Sequence, residues 1–164
     1  SSRTIANLLS AEPISVHTVI ALENLRRCVT DTPPVCSVLQ ADALNWLTIA
    51  TDNPRSSVDY RAIIHRDAAM LSAHRDDYER ALFHMGKAAD LDPDVLTYRL
   101  AKAEYLIRTG RLGQAASTLD SLRVDVARFP RHTATNREAL EMLVKMHTQA
   151  VEGNAQAAPA QNRR

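Results

Sequence analysis

Residues 77–94 read DYERALFHMGKAADLDPD, and residues 110–122 read GRLGQAASTLDSL. When the first stretch is laid over the second at an offset of 34 residues, small and large apolar positions coincide. Within the two stretches the matched positions are Tyr78 with Leu112, Ala81 with Ala115, Met85 with Leu119, and Ala88 with Leu122. Ala69 and Ala103, which precede the stretches, match at the same offset. A fixed period of this length is typical of stacked helix pairs, because each pair leaves an apolar face that its neighbour must cover. The offset therefore predicts two successive copies of one helical hairpin.

Outside these two copies, apolar residues also recur at three- and four-residue spacing, without sustained alternation. This spacing predicts seven helices, over about residues 15–28, 37–51, 57–74, 77–90, 95–108, 112–127 and 135–151. We expect residues 30–34 to form a loop, because two consecutive prolines do not continue a helix. The second helix is expected to face the core with Val38, Leu39, Leu44, Leu47 and Ile49.

The composition favours an all-α chain and argues against several classes of partner. Only four of the 164 residues are Gly, and abundant Ala and Leu favour helix. The net charge is +1 with both signs interleaved, so no basic block is available to neutralise the phosphates of a nucleic acid. No apolar run reaches the roughly 18 residues that a membrane span needs, so we expect a soluble segment.

The quoted stretches resemble a known repeat family. Residues 77–82, 87–88 and 91–94 look like the second helix and exit turn of a tetratricopeptide repeat, and residues 110–115 look like the turn and second helix of the next copy. The resemblance covers about residues 60–128. It implies a right-handed stack of helix pairs whose concave groove binds a protein or peptide. The alternative is a generic helical bundle in which the offset arises by chance.

The predicted organisation has four parts. They are an N-terminal helical pair (a degenerate repeat or a cap) at 1–55, two repeat-like pairs at 56–128, a capping helix at 129–151 and a disordered tail at 152–164. The tail is expected to be disordered because its small and polar residues offer little to pack.

Two cysteines, Cys28 and Cys36, flank a short segment between the first two helices. In an oxidising compartment a bridge between them would contribute roughly 2–3 kcal/mol of stability by constraining the unfolded chain. Two unrelated buried thiols are the alternative. No Cys or His pair follows at zinc-ligand spacing, so we expect no metal.

The chain is also similar to soluble domains that follow the last membrane span of bacterial proteins that polymerise, ligate or transfer surface glycans. The similarity rests on Cys28, Cys36 and Asn53-Pro54-Arg55, and on the runs at 98–101 and 110–112. It implies a periplasmic domain whose partners include its own membrane-embedded parent. A free-standing cytoplasmic adaptor with reduced thiols is the alternative.

In tetratricopeptide stacks the first helix of each pair lines the inner groove. By helical geometry, the residues expected there are Arg66, Asp67 and Met70 from the third helix and Thr97, Glu104 and Arg108 from the fifth. Such a mixed surface could hold an extended peptide or a partner helix, and an ordinary solvated face is the alternative. The family's carboxylate clamp uses Lys and Asn where this chain has Asp67, Met70 and Ala101, so that mechanism of capturing a C-terminal carboxylate is not expected.

The sequence shows no pattern typical of catalysis. It has no nucleophile elbow and no glycine-rich phosphate loop. We interpret its six histidines as core or solvated side chains, with His65 and His74 as candidates for one shared surface. Trp46 is expected in the core, with a stacking platform for a sugar as the alternative. We therefore predict a non-catalytic domain without a cofactor, and an enzyme remains the residual alternative.

Overall fold

A computed structural model describes residues 16–28, 33–51, 57–128 and 133–157. These residues form seven helices, and within them no strand occurs. The helices are α1 (Val16–Cys28), α2 (Pro33–Ala50), α3 (Val58–His74), α4 (Tyr78–Leu91), α5 (Leu96–Arg108), α6 (Leu112–Arg128) and α7 (Thr133–Ala157). The predicted all-α class with seven helices is confirmed. The Asn53-Pro54-Arg55 element lies outside the described residues.

The chain divides into two compact units, Ser1–Asp92 and Pro93–Arg164. In the first unit α1 packs on α2, α2 on α3, and α3 on α4. In the second unit α5 packs on α6, and α7 packs on both. The boundary between the units falls between the two predicted repeat pairs.

The core of the first unit is built where α1, α2 and α3 meet. Its buried members are Ala21, Ala43, Leu44, Leu47, Ala50, Ile64 and Ala68. Trp46 is half-buried and packs against this cluster, as its position among apolar residues predicted. Four of the seven buried members are alanines, which allow the helix backbones to approach each other closely.

The 34-residue repeat is visible in the burial of matched side chains. Ala69 and Ala103 are both fully buried, and so are Ala81 and Ala115. The pairs Met85 with Leu119 and Ala88 with Leu122 are buried as well. Matched positions are therefore buried in both units. We interpret the small residues among them as the contact between the two helices of a pair.

The repeat extends to the backbone of the turn inside each pair. Asp76 and Gly110, which are 34 residues apart, both have a positive φ, of 59° and 75°. In the first unit the N–H of Asp77 donates to the carbonyl of Ser72 at 2.9 Å, and in the second the N–H of Arg111 donates to Leu106 at 2.8 Å. These are the long hydrogen bonds of a Schellman motif, which ends a helix through one left-handed residue.

The structure corrects the predicted start of the second helix. α2 begins at Pro33, whereas the prediction placed residues 30–34 in a loop and began the helix near Ser37. Proline is tolerated in the first helical turn, because the N–H groups there have no partner within the helix. The two prolines therefore begin α2.

Two side chains that were expected in the core are exposed. Val38 is 68% exposed and Ile49 is 50% exposed, while Leu39, Leu44 and Leu47 are buried as predicted. Val38 and Ile49 are eleven residues apart, which places them on the same side of a helix at about 100° per residue. The predicted inward positions were therefore wrong for this one side of α2.

The last helix is longer than predicted. α7 continues to Ala157, so residues 152–157, which the sequence analysis assigned to a disordered tail, are helical and exposed. Residues 158–164 lie outside the described part. Early in α7, Leu140 and Leu143 are buried, and the His147 ring nitrogen Nε2 lies 2.9 Å from the carbonyl oxygen of Leu112. These contacts hold α7 against its own unit.

We predict that Gly110→Ala lowers the free energy of unfolding by about 1 kcal/mol, because a Cβ at positive φ is sterically strained. No atom lies within 4 Å of the added Cβ, so the backbone alone causes the loss. The matched control is Gly113→Ala, which also meets no atom within 4 Å, lies in α6 and does not have a positive φ. This control should keep or raise stability in urea unfolding. Equal effects of the two changes on stability would contradict the attribution of the loss to the positive φ of Gly110.

Candidate functional site

The face of α3 that was predicted to bind a partner is partly apolar and exposed. Met70 is 57% exposed, and Ile63, two turns earlier on the same side, is 39% exposed. The sequence analysis named Met70 and missed Ile63. Adjacent isoleucines at 63 and 64 fit the same periodicity, and only packing shows that Ile64 is the buried one. We call the surface formed by Ile63, Arg66, Asp67 and Met70 the α3 face.

The two charged residues of the α3 face bind each other. The Arg66 guanidinium donates to Asp67 Oδ1 from Nη2 at 2.9 Å and from Nε at 3.1 Å. Both side chains are about four-tenths exposed, so the pair adds little to stability. Their mutual neutralisation leaves the apolar side chains as the main source of binding energy at this face.

The other predicted groove residues lie in the second unit, on α5. Thr97 is exposed in the first turn, and Arg108 Nε donates to Glu104 Oε1 at 3.0 Å, one turn apart along the helix. Ala101 is half-buried between them in sequence. Thr97, Glu104 and Arg108 thus lie on one side of α5, at spacings of seven and four residues.

The cysteines stand at the junction of α1 and α2. Cys28 and Cys36 are joined in a disulfide, with their Cα atoms 4.6 Å apart, a separation typical of bridged cysteines. The bridge links the end of α1 to the first turn of α2. It therefore restrains the first helical pair independently of the apolar contacts.

A cleft that the sequence analysis did not foresee lies between α2, α3 and α4 in the first unit. It has a volume of about 470 Å³. Its lining residues are Thr48, Thr51, Arg61, His65, Phe83, His84, Lys87, Asp90 and Leu91. We call it the histidine cleft, because two buried imidazoles, those of His65 and His84, lie at its wall.

The two imidazoles contact each other directly. His65 Nδ1 lies 3.0 Å from His84 Nδ1, so one nitrogen donates a proton and the other accepts it. The sequence analysis had grouped His65 with His74 instead. That grouping is wrong, because nine residues along a helix place the two side chains on opposite sides, and His74 is exposed.

Burial keeps His84 uncharged at neutral pH. Its side chain is only 1% exposed, and the loss of hydration, together with smaller contributions from His65 and the Arg80 guanidinium, lowers its pKa to about 4. The edge of the Phe83 ring also packs against it, with ring centroids 5.2 Å apart. Across the described ranges, no three His, Cys, Asp or Glu side chains are grouped so that they could hold a metal ion.

We predict that the free energy of unfolding falls as the pH drops from about 6.5 to about 4. The unfolded chain takes up a proton at His84 near its ordinary pKa of about 6.5, while the folded chain does so only near 4. The stabilisation is therefore complete above pH 6.5 and is lost progressively below it, by up to about 3 kcal/mol.

Urea unfolding at pH 7.5, 6, 5 and 4.5 measures this dependence. His84→Gln, which cannot titrate, should be less stable at pH 7.5 and should show a shallower slope. His74→Gln, at an exposed position of α3, is the control that should keep the wild-type slope. An unchanged slope in His84→Gln would refute the assignment to this residue.

Comparison with known proteins identifies the fold. Neither protein-family models nor curated protein sequences match this chain. A solved structure of yeast Sti1, described as a TPR2B-domain:pHsp70 complex, is similar, with a TM-score of 0.59 and 21% sequence identity, covering 82% of this chain and 98% of that chain. The similarity agrees with the helix pairs and with the 34-residue repeat of burial and turn geometry. The chain therefore has the tetratricopeptide-type helical-hairpin fold that its sequence predicted.

Proposed function

We propose that this chain is a non-catalytic protein-interaction domain that binds an extended peptide or a partner helix on the α3 face. The observation that carries the proposal is the exposure of Ile63 and Met70 on one side of α3. A protein gains roughly 1.5–3 kcal/mol for each such side chain that it removes fully from water. The fold supports the proposal, because the similar yeast domain is itself described in complex with pHsp70.

The geometry of the face suits an extended ligand. Ile63 and Met70 are seven residues apart, or about 10.5 Å along the helix axis. Side chains on one face of an extended strand lie about 6.8 Å apart for residues i and i+2 and about 13.6 Å apart for i and i+4, and these values bracket the distance between the two anchors. The Arg66–Asp67 pair between them offers a donor and an acceptor to the ligand backbone. Thr97, Glu104 and Arg108 are proposed as a second, polar contact surface for protein partners.

We further propose that the domain is the periplasmic portion of a bacterial envelope membrane protein that takes part in surface-glycan assembly. The Cys28–Cys36 disulfide supports this location, since disulfides persist in oxidising compartments such as the periplasm. The sequence similarity at Cys28, Cys36 and Asn53-Pro54-Arg55 supports the class of parent. None of the described helices combines the length and the hydrophobicity needed to cross a membrane. A free-standing cytoplasmic adaptor with reduced thiols is the second candidate.

Peptides selected from a random display library against the whole chain test the binding role. We expect the double change Ile63→Ser and Met70→Ser to raise the dissociation constant of the selected peptides by about tenfold or more, because both apolar anchors are lost. Fluorescence anisotropy of a labelled peptide gives the dissociation constant.

The matched control for this test is Val124→Ser, which changes an exposed apolar side chain on α6 in the other unit. It should leave the dissociation constant unchanged. If the double variant binds as tightly as the wild type, the α3 face is not the binding surface. A selection that yields no saturable binder would count against the interaction role itself.

The location is tested by alkylating free thiols in intact source cells before lysis, followed by fractionation and a blot for this domain. We expect Cys28 and Cys36 to resist alkylation until a reductant is added, and the domain to appear within a larger chain in the membrane fraction. A soluble band near 18 kDa with both thiols alkylated would instead establish the cytoplasmic adaptor.

A further inference from the structure

The histidine cleft has a surplus of positive charge. Arg61 from α3 and Lys87 from α4 line it, and Asp90 is the one acidic residue among its described lining residues. Arg80 reaches its edge, where Nη2 donates to Thr48 Oγ1 at 3.0 Å. His84 is uncharged at neutral pH. The lining residues thus carry two cationic groups and one carboxylate, and the Arg80 guanidinium adds a third cation at the edge.

Arg61 lacks a partner for part of its guanidinium. Its Nε atom is buried, and no hydrogen-bond acceptor for it is present among the described residues. The unpaired Nε shows that the Arg61 guanidinium is not fully satisfied by the described residues. Because Nε itself is inaccessible to solvent, a ligand in the cleft would contact the terminal nitrogens of the same guanidinium.

The hydroxyl groups of the cleft do not serve as donors to a ligand. Thr48 Oγ1 donates to the carbonyl of Leu44 at 2.8 Å, and Thr51 Oγ1 donates to the carbonyl of Thr48 at 2.7 Å. Besides the imidazole N–H groups of His65 and His84, the donors that remain belong to the cationic side chains. Lys87 Nζ lies 5.8 Å from the centroid of the Phe83 ring, a cation–π distance that holds the ammonium near the rim. The cleft therefore suits an acceptor that carries negative charge.

We propose that the histidine cleft binds a doubly charged oxyanion of the phosphate type. Two lining cations and a third at the edge suit the two charges of such a group, and guanidinium groups bind phosphate oxygens through charge-assisted hydrogen bonds. The volume of about 470 Å³ leaves room for the group to which the phosphate is attached. That group belongs to a small phosphate ester or to a phosphorylated side chain of a partner.

This site is independent of the proposed peptide surface. Arg61 and His65 lie one turn apart on one side of α3, and Ile63 and Met70 lie on the opposite side. The two sites can therefore be tested separately on the same chain.

Isothermal titration of the whole chain with inorganic phosphate at pH 7.5 tests the proposal, with ionic strength held constant by sodium chloride because salt screens exposed charges. We expect saturable binding with one phosphate per chain. Arg61→Gln should weaken it by about tenfold or more, because one charge and its hydrogen bond are lost. Lys87→Gln, at an exposed position that does not threaten folding, should weaken it in the same direction.

The matched control is Arg66→Gln, which removes an arginine from the α3 face and should leave phosphate binding unchanged. Acetate should bind more weakly than phosphate. If phosphate does not saturate, if acetate binds equally well, or if Arg61→Gln and Lys87→Gln both bind like the wild type, the proposal is wrong. None of these results bears on the peptide surface, which Ile63 and Met70 test.

Two further titrations distinguish the sources of the anion. A short phosphoserine peptide that binds more tightly than inorganic phosphate would assign the cleft to a phosphorylated partner. Inorganic phosphate or a small phosphate ester that binds at least as tightly as the peptide would assign it to a small molecule. Either result supports the oxyanion site.

Discussion

The close contact of alanines between paired helices is the constraint on which this fold depends. In the first unit Ala69 of α3 and Ala81 and Ala88 of α4 are fully buried, so the two backbones can approach each other closely at these positions. A larger residue at these positions would overpack the contact and force the helices apart. The second unit repeats the arrangement with the matched residues at 103 and 115. The short distance between the paired helices, rather than a large apolar core, defines the hairpin.

The larger side chains of α3 lie on two opposite sides of the helix. One side carries Ile63 and Met70 to the surface, and the other carries Arg61 and His65 to the histidine cleft. A single helix of 17 residues thereby presents an apolar surface and a cationic cleft that do not overlap.

The buried histidine pair shows that the first unit is not held together by apolar contacts alone. His65 and His84 come from the two helices of one pair and satisfy each other through a single shared proton. Such a contact is directional, so it favours one rotation of α4 against α3. Its cost is that the contact needs at least one uncharged ring, since two imidazolium ions cannot share one hydrogen bond. The corresponding positions 34 residues later are Arg99 and Thr118, so the helix pair of the second unit has no histidine–histidine contact at these positions.

The sequence by itself determined the number of helices, the 34-residue repeat and the turn at Gly110, because each follows from the spacing or the conformational freedom of neighbouring residues. It also indicated the exposed position of Met70 and the closeness of Cys28 and Cys36. Tertiary structure alone decided that Ile64 rather than Ile63 is buried, that Val38 and Ile49 face outward, and that His65 contacts His84. Periodicity gives the side of a helix to within one residue, whereas these choices depend on how far each helix is rotated against its neighbour. That rotation follows from the contacts of all the paired side chains together, and no local stretch of sequence contains it.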